Sequence, residues 1–287
     1  MAQRWRAGRL LPRGASGAIA RGAALALVAV TLSACNATST VDSGLKLERE
    51  QASSANIASL TDTIRRNPRD PSAYNVRGSA YGRAGQNGAA LSDFNQAIAL
   101  NRRFHPAYAN RGLIHARTGR FQDAVRDYGT AISIRPDYAE AYVGRGNVYQ
   151  RAGRDDAALR DYTRAIELAA TDPQAYYQRG LVLQRARRHE QAIEDFSKAI
   201  ALADRQAQPY NARGLSYLAL NRQQNAFDDF NTALKIDAGY AEAWTNQALV
   251  YEARGERKRA FQAYARAQAL KPDYQPAREG VSRTRGA

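Results

Sequence analysis

The chain has 287 residues, 44% apolar and 24% charged, with a formal charge of +15. Such a composition buries a sizeable core and excludes wholesale disorder. Its single cysteine excludes an internal disulfide and a four-cysteine zinc site. The first 34 residues carry five arginines and no acid, so ten of the fifteen net positive charges belong to Cys35 onward. Those charges are spread along the chain. They read as a solvated, arginine-rich helical surface and not as a nucleic-acid site.

The chain opens on a basic segment with no acid, followed by the apolar run Ala23 to Leu32. That run is half the length of about 20 residues that a spanning helix needs. A basic segment, a short apolar run and small residues after it make a secretory signal peptide. The residues Leu32-Ser33-Ala34-Cys35 resemble the bacterial lipobox. The resemblance implies that residues 1–34 are removed and that Cys35 carries acyl chains anchoring the protein to a membrane. Asn36 stands where Asp would mark inner-membrane retention, so the periplasmic face of the outer membrane is the expected address. Residues 35–46 are small and polar and read as a tether. Residues 47–70 read as a capping helix or degenerate repeat, with Leu60 in register with the aromatic Phe94 one period later.

From residue 71 the sequence repeats every 34 residues, in segments 71–104, 105–138, 139–172, 173–206, 207–240 and 241–274. Numbering each from its first residue, position 4 is Tyr74, Tyr108, Tyr142, Tyr176, Tyr210 and Trp244. Positions 20 and 27 are Ala in all six, and position 24 is Phe or Tyr. Position 8 is Gly in five repeats. Positions 4, 8 and 11 share one helical face, and positions 20, 24 and 27 share another. Small residues at 8 and 20 let the two helices approach, and the aromatics fill the spaces around that contact. Gly85, Gly119, Gly153 and Gly255 at position 15 serve the turn between helices, with Asn221 as a tolerant substitute. Arg187 at that position predicts strain or a distorted turn. Proline at position 32 survives only as Pro136 and Pro272, which predicts looser turns where Arg102, Ala170, Asp204 and Ala238 replace it. Residues 275–287 are expected to make a short helical cap and a tail.

These positions resemble the tetratricopeptide repeat (TPR) pattern across residues 71–274. The resemblance implies an all-α solenoid of stacked antiparallel helix pairs that binds a peptide or protein partner. With the lipobox, the chain is similar to NlpI-type TPR lipoproteins, which bring envelope proteases and cell-wall hydrolases together. A pilotin-like factor for pilus or secretion assembly is a second expectation, and a binder of an anionic envelope polymer a third.

One departure from the family pattern is informative. Position 7, an apolar Leu in the family, holds Arg77, Arg111, Arg145, Arg179 and Arg213. Position 23 holds Asp93, Asp127, Asp161, Asp195 and Asp229 in the same five repeats. In repeat six both are lost together, as Gln247 and Ala263. Joint presence and joint loss point to structural ion pairs between the two helices.

No catalytic constellation is evident. The histidines at 105, 115 and 189 lack metal-ligand spacing, so neither a metal nor a cofactor is expected. His115 takes the place of a core tyrosine at position 11. The functional candidate is the groove that helix A lines in this family. There the repeats place Asn75, Arg83, Arg117, Asn147, Arg151, Tyr177 and Arg185. Arginine fills position 13 in the first four repeats and alanine in the last two, which suits a partner with an acidic segment followed by an apolar one. The pattern carries no signal for oligomeric state.

Overall fold

The computed structural model describes residues 56–286, all of them helix, turn or short connection. Cys35 and the segment preceding residue 56 lie outside the described residues. Helix α1 covers residues 56–66. Six antiparallel pairs come after it: α2 (Pro71–Arg83) with α3 (Asn87–Leu100), α4 (His105–Arg117) with α5 (Phe121–Ile134), and α6 (Ala139–Arg151) with α7 (Asp155–Leu168). Then come α8 (Pro173–Arg185) with α9 (His189–Leu202), α10 (Ala207–Ala219) with α11 (Gln223–Ile236), and α12 (Ala241–Ala253) with α13 (Arg257–Leu270). The short α14 (Gln275–Thr284) packs against α13 and α12. No described helix is long and apolar enough to cross a membrane.

The first helix of each pair, helix A, has 13 residues and the second, helix B, has 14. Two helix A starts are capped: Asp70 and Asp172 accept from the amides of Ser72 and Gln174, at 2.9 Å, ahead of a proline at the first helical position. Each pair closes on its position-24 ring. Phe94, Tyr162, Phe196, Phe230 and Tyr264 are almost wholly buried. Each such ring contributes about 1.5–3 kcal/mol by its burial. The close helix approach depends on glycine at position 8: a Cβ on Gly146 would stand 2.8 Å from the Tyr162 ring, inside contact distance.

Between helices A and B, position 15 adopts left-handed backbone in every repeat. Gly153 has φ 68°, Asn221 58° and Arg187 57°. The turn at Arg187 is not distorted. Its amide donates to the Gln184 carbonyl at 3.0 Å and that of Arg188 to Leu183 at 2.9 Å, matching 3.1 and 2.8 Å at the Gly153 turn. The repeat dictates the turn and the arginine bears the conformational cost, about 1 kcal/mol for a residue with a Cβ.

The turns between repeats are also tighter than the missing prolines suggest. Tyr138 after Pro136 donates its amide to Arg135 at 3.2 Å, and Tyr274 after Pro272 to Lys271 at 3.0 Å. Phe104, Asp172 and Tyr240, at turns without proline, make the same bond at 3.0–3.2 Å. Among the described residues only the turn containing Asp204 lacks it. Packing of flanking helices holds the turn, so proline is dispensable there.

Candidate functional site

The charged positions come first, because they decide which arginines are available to a partner. In each of the first five repeats the position-7 guanidinium lies across the helix pair from the position-23 carboxylate. Arg145 donates through Nε and Nη2 to both oxygens of Asp161, each at 2.8 Å. Arg77–Asp93, Arg111–Asp127, Arg179–Asp195 and Arg213–Asp229 have the same fork geometry, at 2.6–2.9 Å. All five carboxylates are buried. The hydrogen bond to Asp161 raises the Arg145 pKa further above its ordinary value. Burial raises that of Asp229 against the opposing pull of Arg213.

The third guanidinium nitrogen reaches the preceding repeat. Arg77 Nη1 donates to Thr61 at 3.2 Å, Arg111 to Asn95 at 2.7 Å, Arg179 to Thr163 at 3.2 Å and Arg213 to Ser197 at 2.9 Å. Each acceptor occupies position 25. In repeat two that position is Gly129, and Arg145 of repeat three has no such partner there. One side chain therefore ties its own helix pair and, in four cases, the previous repeat. The in-plane Nε and Nη2 donors of these five arginines are consumed by the scaffold, which leaves the faces of the guanidinium groups for stacking.

The groove is built from helix A of successive repeats. Its best-formed part is a concavity of about 410 Å³ spanning α4, α6 and α8. Leu113, Val143 and the Tyr138 ring make its apolar lining, while Arg117, Arg151, Asn147, Gln150 and Glu140 supply polar groups. Leu113 is 49% exposed, the highest value among the exposed large apolar side chains Val76, Leu113, Leu202, Ile236 and Leu249. Burial pushes the Tyr138 hydroxyl pKa up, so the phenol stays neutral.

The structure distributes the groove candidates unequally. Arg83 and Arg151 are exposed and make no hydrogen bond or ion pair among the described residues. Arg117 donates to the Gly82 carbonyl at 2.9 Å, and Arg185 pairs with Asp155 at 2.6 Å. Asn75 accepts from Asn110 at 2.9 Å. Asn147 accepts from the buried Tyr162 hydroxyl at 2.7 Å. Tyr177 packs on Phe196, with ring centroids 6.0 Å apart. Arg117, Arg151 and Asn147 meet in one concavity, whereas Arg83, Tyr177 and Arg185 do not line it.

Sequence reasoning missed three polar residues that tie groove positions together, Asn110, Ser216 and Asn246. Asn110 ties to Asn75, Asn246 to Asn211 at 2.8 Å, and Gln184 to Ser216 at 2.8 Å. These bonds join helix A of one repeat to helix A of the next. They bury Asn211, Ser216 and Asn246 and leave them unavailable to a partner. Tyr138 was also missed, although an aromatic recurs at position 34 in Phe104, Tyr138, Tyr240 and Tyr274. Burial drives the Tyr240 hydroxyl up to about 12.

Family models described as "TPR repeat" or "Tetratricopeptide repeat" match residues 76–133, 115–153, 139–172, 173–205, 207–240 and 241–274. No curated protein matches the sequence. Among solved structures, the chain is similar to the APC/C hetero-tetramer Cut9–Hcn1, with TM-score 0.69, 21% identity and 79% of this chain covered. The match spans 45% of that chain. It is also similar to pilF of Pseudomonas aeruginosa, with TM-score 0.68, 16% identity, and 74% of this chain and 97% of that one covered. A third likeness is to YrrB, described as a TPR protein with an unusual peptide-binding site, with TM-score 0.56, 22% identity and coverage of 66% and 97%. The buried rings and the shared 34-residue register have one origin: the chain belongs to the tetratricopeptide repeat family, and its repeats form a protein-interaction scaffold.

Proposed function

We propose that this protein is a lipid-anchored adaptor of the bacterial cell envelope that holds a partner peptide in the helix A groove. The observation that carries the reading is the exposed Leu113, which lines one concavity with Val143, Arg117 and Arg151. An apolar surface with guanidinium groups beside it suits a peptide carrying a large apolar residue next to a carboxylate. The Leu32–Cys35 motif supports the anchoring half of the proposal. Several acyl chains on Cys35, at about 0.8 kcal/mol per buried CH₂, hold a protein on a membrane where one chain does not.

The groove is tested by in-cell photo-crosslinking from position 113 in the full chain, with identification of the captured partner. The partner's segment is then titrated against purified protein. Leu113→Glu is expected to weaken binding at least tenfold with the fold unchanged, since the residue is exposed. Unaltered affinity refutes the groove. The anchor is tested separately. Cys35→Ser should move the protein from the membrane fraction to the soluble fraction, and a mutant that stays in the membrane refutes lipidation.

A second reading, an anionic envelope polymer, is favoured by Arg83 and Arg151, which are exposed and have no hydrogen-bond or ion-pair partner among the described residues. It expects salt-sensitive binding to purified peptidoglycan, lost in the Arg83→Ala/Arg151→Ala double mutant. Binding that survives in the double mutant counts against it.

A further inference from the structure

The repeats differ at position 11, and the difference opens a site. In repeats one, three and five the position-7 guanidinium lies between two rings. Arg77 is 5.8 Å from the centroids of both Tyr74 and Tyr81, Arg145 is 5.6 and 5.9 Å from Tyr142 and Tyr149, and Arg213 is 5.7 and 5.9 Å from Tyr210 and Tyr217. In repeat three a second arginine joins it: Arg154, at position 16, is 4.7 Å from the Tyr149 centroid. Tyr149 is thus a ring with two cations against it.

Repeat four keeps both cations and lacks the ring. Arg179 has Tyr176 at 5.9 Å on one side. Leu183 replaces the second tyrosine, and Arg188 stands at the register of Arg154. Beside the buried Leu183 there is a cleft of about 600 Å³, bounded by Leu159, Arg179, Leu183 and Arg188, with the carboxylates of Glu167, Glu194 and Asp195 also on its lining. It sits between α7, α8 and α9, where helix B side chains emerge, and shares no residue with the helix A concavity.

Repeat two is the internal control. His115 stands at position 11, and an equivalent cleft of only about 290 Å³ lies beside it. There Arg120, the counterpart of Arg188, is paired with Asp123 at 2.7 Å. In repeat four the residue matching Asp123 is the neutral Gln191, which accepts a hydrogen bond from Arg188 Nε, so the Arg188 charge lacks that carboxylate.

We propose that the repeat-four cleft is a second binding site, which receives one aromatic side chain, tyrosine or phenylalanine, from a partner protein. The protein supplies its own template for the ligand: in repeat three the Tyr149 ring lies against both guanidinium groups, at positions 7 and 16. The complementarity is electrostatic, since the π face of an aromatic ring is negative and both guanidinium groups are positive. Leu183 gives the ring edge an apolar floor. This site is independent of the groove and stands or falls separately.

The probes are N-acetyl-tyrosine amide, N-acetyl-phenylalanine amide and N-acetyl-alanine amide, titrated into the full chain with the Leu183 methyl groups observed by NMR. Saturable shifts are expected with both aromatic amides and none with the alanine amide. Leu183→Tyr fills the cleft from within, as in repeat three, and should cut the response at least fivefold while the melting temperature holds or rises. Arg188→Ala, at an exposed position outside the core, should weaken the response at least threefold without touching the fold. An alanine amide as effective as the aromatic ones overturns the proposal, as does a wild-type response in either variant. Should Leu183→Tyr fail to fold, the Arg188→Ala result decides alone.

Discussion

Repeats one to five and repeat six solve the same packing problem in different ways. In the first five, a forked guanidinium bridges helix A to helix B and, in four of them, reaches the preceding repeat. In repeat six the carboxylate is replaced by Ala263 and the arginine by Gln247. Gln247 still donates to Asn231, at position 25 of repeat five, so the bond to the previous repeat survives. The interhelix charge pair does not. Position 8 is also Ala248 rather than glycine. At this end of the array Tyr264 instead bonds Glu252, and Arg283 of α14 pairs with that carboxylate at 3.0 Å. The comparison separates two duties of the arginine. Inter-repeat bonding needs only a donor, and an amide provides one. A positive charge is needed only where a buried carboxylate must be matched.

The largest expected effect comes from breaking one pair. Asp161→Ala leaves Arg145, 22% exposed, without its charge partner. It should cost about 3 kcal/mol in denaturant unfolding. Arg145→Ala should cost at least as much, because Asp161 is only 8% exposed. Arg145→Ala combined with Asp161→Ala removes both charges, as repeat six does, and should recover most of the single-mutant loss. A double mutant whose cost equals the sum of the singles would show that the two groups are not coupled.

Glycine at position 8 distinguishes the repeats next. Gly146→Ala places a methyl against the Tyr162 ring and should cost about 1–3 kcal/mol. The reverse exchange, Ala248→Gly, removes a good helix former from a repeat that already accommodates it, and should cost about 1 kcal/mol. Melting curves on both variants check the contrast. A smaller gain is expected from Arg187→Gly. Arg187 is held at φ 57°, where glycine is unstrained, and relief should stabilise the chain by up to about 1 kcal/mol.

The smallest effect concerns pH. His115 is 7% exposed, and burial lowers its pKa below the ordinary 6.5, with Arg120 adding to the fall. Asp127 at 3.6 Å and the neighbouring Asp123 oppose that shift, and Arg111 adds weakly to it. The unfolded chain therefore takes up a proton at His115 before the folded one does. Stability attributable to this residue is present above pH 6.5 and is lost as pH falls from there towards the folded value. His115→Tyr should flatten that part of the stability profile in unfolding curves between about pH 5 and 7.5. An unchanged slope would assign the dependence to another group.

The fold was legible in the sequence because a repeat reports its own register six times. A run such as Ala90, Phe94, Ala97 admits one interpretation once it recurs at 34-residue steps. The matching of position 7 with position 23 was visible for the same reason, as a coincidence of presence and loss. The groove was less legible. Four arginines at position 13 look alike on paper, yet Arg117 is bonded to a carbonyl of the previous repeat and Arg185 to Asp155, while Arg83 and Arg151 have no partner among the described residues. Asn110 and Asn75 lie 35 residues apart, and no local pattern marks their contact.

By itself the sequence determined the helices, their pairing and the family, because steric fit between small and aromatic positions is a local, periodic property. The tertiary structure decided which charged and polar groups are spent on holding repeats together and which remain for a partner. It also revealed the cleft beside Leu183, since a missing ring becomes a space only when its neighbours are packed around it. Availability depends on distances between neighbouring repeats, and those are set by stacking rather than by composition.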